Sequence, residues 1–153
     1  MQFLQKCVQC FAVNSRISSI KKSSVYVTKP WGKVDQPDFL NAVLEIETEM
    51  MPWQLLRFGR ILESAAGRQR GGRWGPRTLD VDILYAVGCE VDDADLKIPH
   101  PLMTQRLFVM KPLADLAPDL ILRQNGEQKS VRQWCNTLEQ DAILEKLYEP
   151  DEW

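Results

Sequence analysis

The chain has 153 residues, enough for one domain with a buried core. Hydrophobic residues make up 44% and charged residues 26%, which excludes wholesale disorder, collagen-like repeats and a disulfide-dense scaffold. The net charge of -2 hides its distribution: six arginines against one acid between Arg57 and Arg77, and six acids against one base from Glu139 to the end.

In chain order, Phe3, Leu4, Cys7, Val8 and Phe11 recur at helical spacing, so residues 2–13 predict an amphipathic helix. Cys7 and Cys10 form a CxxC on it, while Cys89 and Cys135 stand alone. With a single histidine in the chain, these read as reduced, buried or half-buried thiols rather than as a zinc site. The opening residues lack a basic start, and Gln9 interrupts their apolar stretch, so no signal peptide is expected. No run approaches the ~18 apolar residues of a membrane span.

Residues 16–28 predict an extended segment around Val25-Tyr26-Val27, broken at Lys29-Pro30. Residues 39–48 predict one strand, with Leu40, Ala42, Leu44 and Ile46 on one face and Phe39, Asn41, Val43, Glu45 and Glu47 on the other. Pro52 opens a helix whose apolar stripe is Leu55, Phe58, Leu62 and Ala65. Residues 67–77 hold four glycines and a proline, which predicts a mobile loop. Leu79 to Tyr85 alternate as a strand. Residues 95–103 read as extended. A mixed helix follows over 104–116 with a break at Lys111-Pro112, and an acidic helical tail begins at Ser130. That tail reads as a solvated helix face. With no repeats and no dividing linker, the whole chain, 1–153, predicts a single α+β domain.

Asp80-Val81-Asp82 is the sharpest chemical feature. On a strand, i and i+2 project from one face, so the carboxylates sit roughly 6–7 Å apart at about 3.3 Å per residue. Unscreened they repel; a hard divalent cation relieves this, and Mg²⁺ is held by one or two carboxylates plus phosphate oxygens. A half-exposed strand yields the same pattern. Arg68, Arg70, Arg73 and Arg77 lie just upstream on the glycine-rich loop. Guanidinium groups suit bidentate phosphate contacts, although a solvated loop or a nucleic-acid tether uses them too. His100, between Pro99 and Pro101, has its backbone restrained. Phe39 and Asn41 share a strand face, as an aromatic and an amide would to stack on and hydrogen-bond a flat heterocycle. A packed core places them the same way.

Together, Thr28-Lys29-Pro30-Trp31-Gly32, Asp35-Gln36-Pro37-Asp38-Phe39-Leu40-Asn41-Ala42, Gly67-Arg68-Gln69-Arg70, Arg73-Trp74-Gly75-Pro76-Arg77-Thr78-Leu79-Asp80-Val81-Asp82-Ile83-Leu84, Ile98-Pro99-His100-Pro101 and Arg106-Leu107-Phe108-Val109 form a pattern. In this order and spacing it resembles the 6-hydroxymethyl-7,8-dihydropterin pyrophosphokinase family of folate biosynthesis, from about Ser23 to Leu122. The resemblance implies a ferredoxin-like α+β sandwich. It implies transfer of the β,γ-pyrophosphoryl unit of ATP to the pterin hydroxymethyl group, with release of AMP. Asp80 and Asp82 match the ligands of two Mg²⁺ ions. Phe39 and Phe108 match the aromatic pair that sandwiches the pterin, Asn41 its edge-bonding amide, and Thr28, Pro30 and Trp31 the pocket lining. Arg68 and Arg70 match mobile-loop arginines closing over ATP, and Trp74 and Arg77 the loop end touching both substrates. Glu63, Ile83, His100 and Arg106 match nucleotide contacts. The partners implied are small molecules, with neither nucleic acid nor membrane, in a cytoplasmic monomer.

Three departures accompany the resemblance. The family begins with a strand and a Gly-Ser-Asn loop, whereas this sequence opens in the following helix. In a ferredoxin-like sheet that strand is central, so its absence predicts two neighbours with unpaired backbone. The mobile loop is slightly short, and Arg60 stands where many members carry a neutral polar residue. No protein base is evident, which points to activation of the substrate hydroxyl by metal. Two other readings stay open: a truncated, inactive homologue that binds nucleotide or pterin, and a basic-loop nucleic-acid-binding module. The latter calls for aromatic platforms among the arginines, where only Trp74 stands.

Overall fold

The computed structural model describes residues 1–29, 37–67, 78–124, 126–140 and 144–153. They fall into two units, Met1–Ser19 with Glu47–His100 and Ile20–Ile46 with Pro101–Trp153. The architecture is α+β, with four helices and nine short strands among the described residues. No helix among them is long and apolar enough to cross a membrane.

In the first unit, α1 (Gln2–Ala12) follows the predicted stripe, burying Cys7 and Phe11. The Phe11 ring meets Phe58 of α2 (Pro52–Ala65) edge-on, with centroids 5.1 Å apart at 86°. Pro52 occupies the start of α2, where its missing N–H costs nothing, and the Gln54 side chain accepts the Met51 N–H at 3.0 Å. The helix stops at Gly67, whose φ of +85° is left-handed and favours glycine. Beyond residue 78 the chain runs to Ala86 without regular structure, then turns at Gly88.

Residues 79–85 are not a strand: among the described residues they form no ladder. Alternation sets an extended path, but a strand also needs a partner backbone. Individual hydrogen bonds, rather than a ladder, hold the path. Thr78 Oγ1 donates to the Ala66 carbonyl at 2.6 Å, the Val81 N–H to Glu63 Oε1 at 2.9 Å and the His100 N–H to the Leu84 carbonyl at 2.8 Å.

The predicted extended segment 16–28 divides into β1 (Ile17–Lys22) and β2 (Val25–Thr28), separated by the buried pair Ser23-Ser24. The predicted strand 39–48 divides likewise into β3 (Phe39–Asn41) and β4 (Leu44–Thr48). One cause produces both breaks. Ser23 N–H donates to the Val43 carbonyl at 3.0 Å, and the Val43 N–H donates to Ser23 Oγ at 2.9 Å, so a side chain replaces part of the ladder. β1 pairs with β4, and both strands contribute residues to each unit.

The remaining strands of the first unit are β5 (Val91–Asp92) and β6 (Lys97–Ile98), antiparallel to each other. Only these two residues of the expected extended stretch 95–103 pair at β6; a 3₁₀ turn at Met103–Gln105 follows.

In the second unit, α3 (Leu107–Leu116) continues through Pro112 without the predicted break. Proline removes one helical donor, and burial of Met110, Pro112 and Leu113 offsets that loss. A hairpin, β7 (Ile121–Gln124) with β8 (Glu127–Ser130), leads into α4 (Val131–Glu139). Ser130 caps α4 in a reciprocal box: Gln133 N–H donates to Ser130 Oγ, and Ser130 N–H to Gln133 Oε1. Helices α3 and α4 pack together, with Lys111 and Glu139 paired across them.

The acidic tail is not the expected solvated helix. After α4 it forms β9 (Glu145–Tyr148), antiparallel to β2, which makes β2 the centre of a β3-β2-β9 sheet. The chain end then buries Trp153, whose indole N–H donates to the Ser23 carbonyl at 2.9 Å while Lys22 lies 5.1 Å from its ring centre. Hydropathy hid this outcome, because a short strand with three of its four residues exposed carries no apolar alternation.

Two outcomes follow. Trp153→Ala removes a buried aromatic and should cost about 3 kcal/mol, lowering Tm by about 6–12 °C in a thermal melt. Burial pushes the Cys7 thiol up to about 11, with Cys10 adding to the shift. The folded chain then keeps a proton that the unfolded chain releases, so this contribution is full below about pH 9 and falls as pH rises towards 11. At pH 8 Cys7 should alkylate roughly 100-fold more slowly in folded than in urea-unfolded protein, measured by mass spectrometry.

Candidate functional site

In the second unit the β2–β3 ladder sets Tyr26 opposite Asn41 and Thr28 opposite Phe39. Opposed residues of an antiparallel pair share a face, as do residues two apart, so these four line one side. Helix α3 packs on that side, because the Tyr26 hydroxyl donates to both oxygens of Asp115 at 3.0 and 3.1 Å. Burial, then the Asp115 carboxylate, raise the Tyr26 phenol above its ordinary range, so it stays a donor at physiological pH.

The Asn41 amide nitrogen is fully engaged. It lies 3.0 Å from Thr28 Oγ1, 3.3 Å from the Phe39 carbonyl and 3.4 Å from the Tyr26 carbonyl. Among the described residues nothing donates to its Oδ1, so the amide presents an acceptor. Phe39 keeps 38% of its surface exposed and Phe108, in the first turn of α3, keeps 36%. Phe108 lies seven residues before Asp115, hence on the stripe of α3 that faces Tyr26. The Arg106 guanidinium stands 5.8 Å from the Phe108 ring centre. The second unit thus brings Thr28, Phe39, Asn41, Arg106 and Phe108 onto one sheet face and the helix that covers it. Open aromatic faces beside an aimed amide acceptor can stack a flat heterocycle and accept from its N–H edge.

In the first unit Glu63 is buried on α2 and accepts the Val81 N–H at 2.9 Å. The Val81 side chain lies against Gly59, where an added Cβ would come within 3.0 Å of Val81 Cγ1. Val81 is therefore held toward α2, and Asp80 and Asp82 on either side of it are exposed. The two exposed aspartates thus flank an inward-held residue on a segment that forms no ladder among the described residues. Ile83 and His100 are half-buried, and His100 is tied to the same segment through Leu84.

The donor chemistry suits Mg²⁺. Among the described residues no group of three or more His, Cys, Asp or Glu could enclose a metal ion. Two exposed carboxylates form an open, all-oxygen set, the kind that leaves coordination positions to water and phosphate. The sequence singled out Asp80 and Asp82 but missed what holds them: Glu63 reads from sequence as a substrate contact, and no pattern links it to Val81. Tyr26 and Asp115 were missed as supports of the aromatic face. The i, i+2 spacing of Tyr26 and Thr28 was the only available signal. Pro30, Trp31, Arg68, Arg70, Trp74 and Arg77, with most of the predicted glycine-rich loop, lie outside the described residues.

Known proteins are similar to this chain in sequence. A family model described as 7,8-dihydro-6-hydroxymethylpterin-pyrophosphokinase (HPPK) matches residues 1–118. A 2-amino-4-hydroxy-6-hydroxymethyldihydropteridine pyrophosphokinase of Methylorubrum extorquens is 43% identical over 119 residues, 78% of this chain and 75% of the relative. The protein of that name in Bacillus subtilis is 37% identical over 135 residues, 86% of this chain and 81% of the relative. Its counterpart in Pseudomonas aeruginosa is 42% identical over 119 residues, 78% and 74% of the two chains. This chain belongs to the 7,8-dihydro-6-hydroxymethylpterin-pyrophosphokinase family.

Proposed function

We propose that this chain transfers the β,γ-pyrophosphoryl group of ATP to the hydroxymethyl oxygen of 6-hydroxymethyl-7,8-dihydropterin, as a single domain over residues 1–153. The hydroxyl oxygen forms a bond to the β-phosphorus, the bond from that phosphorus to the α-phosphate oxygen breaks, and AMP and a proton leave. In a chain of this family, the observation that carries the pterin assignment is the Asn41 amide. Its nitrogen is clamped by Thr28 and backbone carbonyls, which leaves Oδ1 to accept from a donor-rich ring edge.

Phe39 and Phe108 stack on the pterin faces, and Thr28, Pro30 and Trp31 line the pocket. Asp80 and Asp82 hold two Mg²⁺ ions, which when bound neutralise phosphate charge and favour the hydroxyl's deprotonation. Glu63 serves the nucleotide side by fixing Val81 between the two aspartates. Ile83, His100 and Arg106 contact the nucleotide. Arg68 and Arg70 close over ATP, Trp74 and Arg77 touch both substrates, the three arginines supply positive charge, and together the four exclude water. Positioning and charge neutralisation account for most of the acceleration in such a displacement. The partners are these two small molecules, with no nucleic acid or membrane, in a cytoplasmic monomer.

The test is AMP formation from Mg-ATP with and without the hydroxymethyl dihydropterin. Pterin-dependent AMP is expected; none from soluble, folded protein overturns the reading. Asp82→Ala removes several kcal/mol of charge stabilisation, so turnover should fall about a hundredfold or more. Full activity in that variant at saturating magnesium rules out the metal role. Arg70→Ala should slow turnover far more than it weakens pterin binding, and equal losses would rule out closure by that residue.

A further inference from the structure

A flat ring held between two aromatic faces is sensitive to the width of the slot. Carbon–carbon attraction is best at about 3.5 Å on each side, and a gap 0.5–1 Å too wide forfeits a quarter to a half of it. Phe39 and Phe108 reach the slot from different elements, β3 and α3. Something must fix the distance between the β2–β3 face and the helix.

Among the described residues, every hydrogen bond that joins α3 to the chain from Ser23 through Asn41 ends on Asp115. Its carboxylate accepts the Tyr26 hydroxyl at 3.0 and 3.1 Å and the Ser24 backbone N–H at 3.0 Å. Tyr26 is fully buried, pairs with Asn41 across the ladder and lies two residues from Thr28, which pairs with Phe39. Asp115 lies two helical turns from Phe108 on the same stripe, about 10 Å along a rigid helix. The strut therefore reaches both walls through stiff backbone. The same carboxylate has donors from two residues, so it resists rotation as well as separation.

We propose that the Tyr26–Asp115 pair is a positioning device that sets the width of the pterin slot, with Tyr26 and Asp115 acting through Phe39, Asn41 and Phe108. This rests on the pterin reading above. The consequence is selective: loss of the strut weakens pterin binding and leaves nucleotide binding alone.

The experiment titrates fluorescent 6-hydroxymethylpterin in the presence of Mg²⁺ and a non-hydrolysable ATP analogue, and titrates the analogue separately. Tyr26→Phe keeps the buried ring and removes the hydroxyl. It should raise the pterin Kd roughly fivefold to tenfold and change the analogue Kd less than about twofold. Asp115→Asn keeps an acceptor for the Tyr26 hydroxyl and should restore most of the affinity that Asp115→Leu loses. Leu122→Val, a buried change on β7 away from the strut, controls for stability and should lower Tm without moving either Kd. Wild-type protein that takes up no pterin overturns the pterin reading and this proposal with it. Wild-type binding matched by Tyr26→Phe overturns the strut alone. An equal rise in pterin Kd for Leu122→Val overturns it too, since loosening anywhere would then suffice.

Discussion

A buried backbone bend must find partners for its polar groups, and the second unit is arranged around one such bend. Ser23 and Ser24 separate β1 from β2 and are almost wholly inaccessible to water. The Ser23 carbonyl accepts from the Trp153 indole, and its N–H and hydroxyl oxygen engage Val43. The Ser24 N–H goes to Asp115, and its hydroxyl to Glu149 Oε2 at 3.2 Å. An unsatisfied group here would cost about 1–3 kcal/mol. Sheet, α3 and C-terminal segment are each committed to this bend by a requirement none of them meets alone.

That requirement explains the placement of the tail. Six acids near a chain end gain nothing from burial as such, and most stay exposed. Glu149 ties the tail to the bend: it accepts from Ser24 and pairs with Lys146, while β9 pairs with β2. The edge pairing supplies backbone bonds and the Trp153 side chain supplies apolar area. Covering β2 also protects a short central strand from exposed-edge association. The tail therefore supports the same strand that carries Tyr26 and Thr28 toward the candidate pterin face.

Elements with strong local signals were legible in the sequence: α1 and α2 by apolar period, α2 also by Pro52 and Gly67, and α4's start by Ser130. Elements that depend on a partner were not. The run 79–85 has strand alternation but forms no ladder among the described residues, and 39–48 is divided by a serine twenty residues upstream. Pro112 looked like a break and is instead carried inside α3 by burial. Among the candidate functional residues, Asp80, Asp82, Phe39, Asn41 and Phe108 stood out by residue type and by family pattern. Glu63's hold on Val81 and Asp115's hold on Tyr26 span 18 and 89 residues, and no periodicity encodes such distances.

The sequence by itself determined the family and the kinds of chemistry available: paired carboxylates, loop arginines, and an amide beside an aromatic. These depend on residue identity and short spacing, which the linear chain contains in full. Only the tertiary structure decided which way those groups are held. Glu63 and Gly59 turn Val81 inward, so its neighbouring aspartates are exposed. Thr28 occupies the Asn41 nitrogen, so its oxygen is the end left to bind. The orientation of a side chain is set by what packs and hydrogen-bonds behind it, and those partners come from elsewhere in the chain.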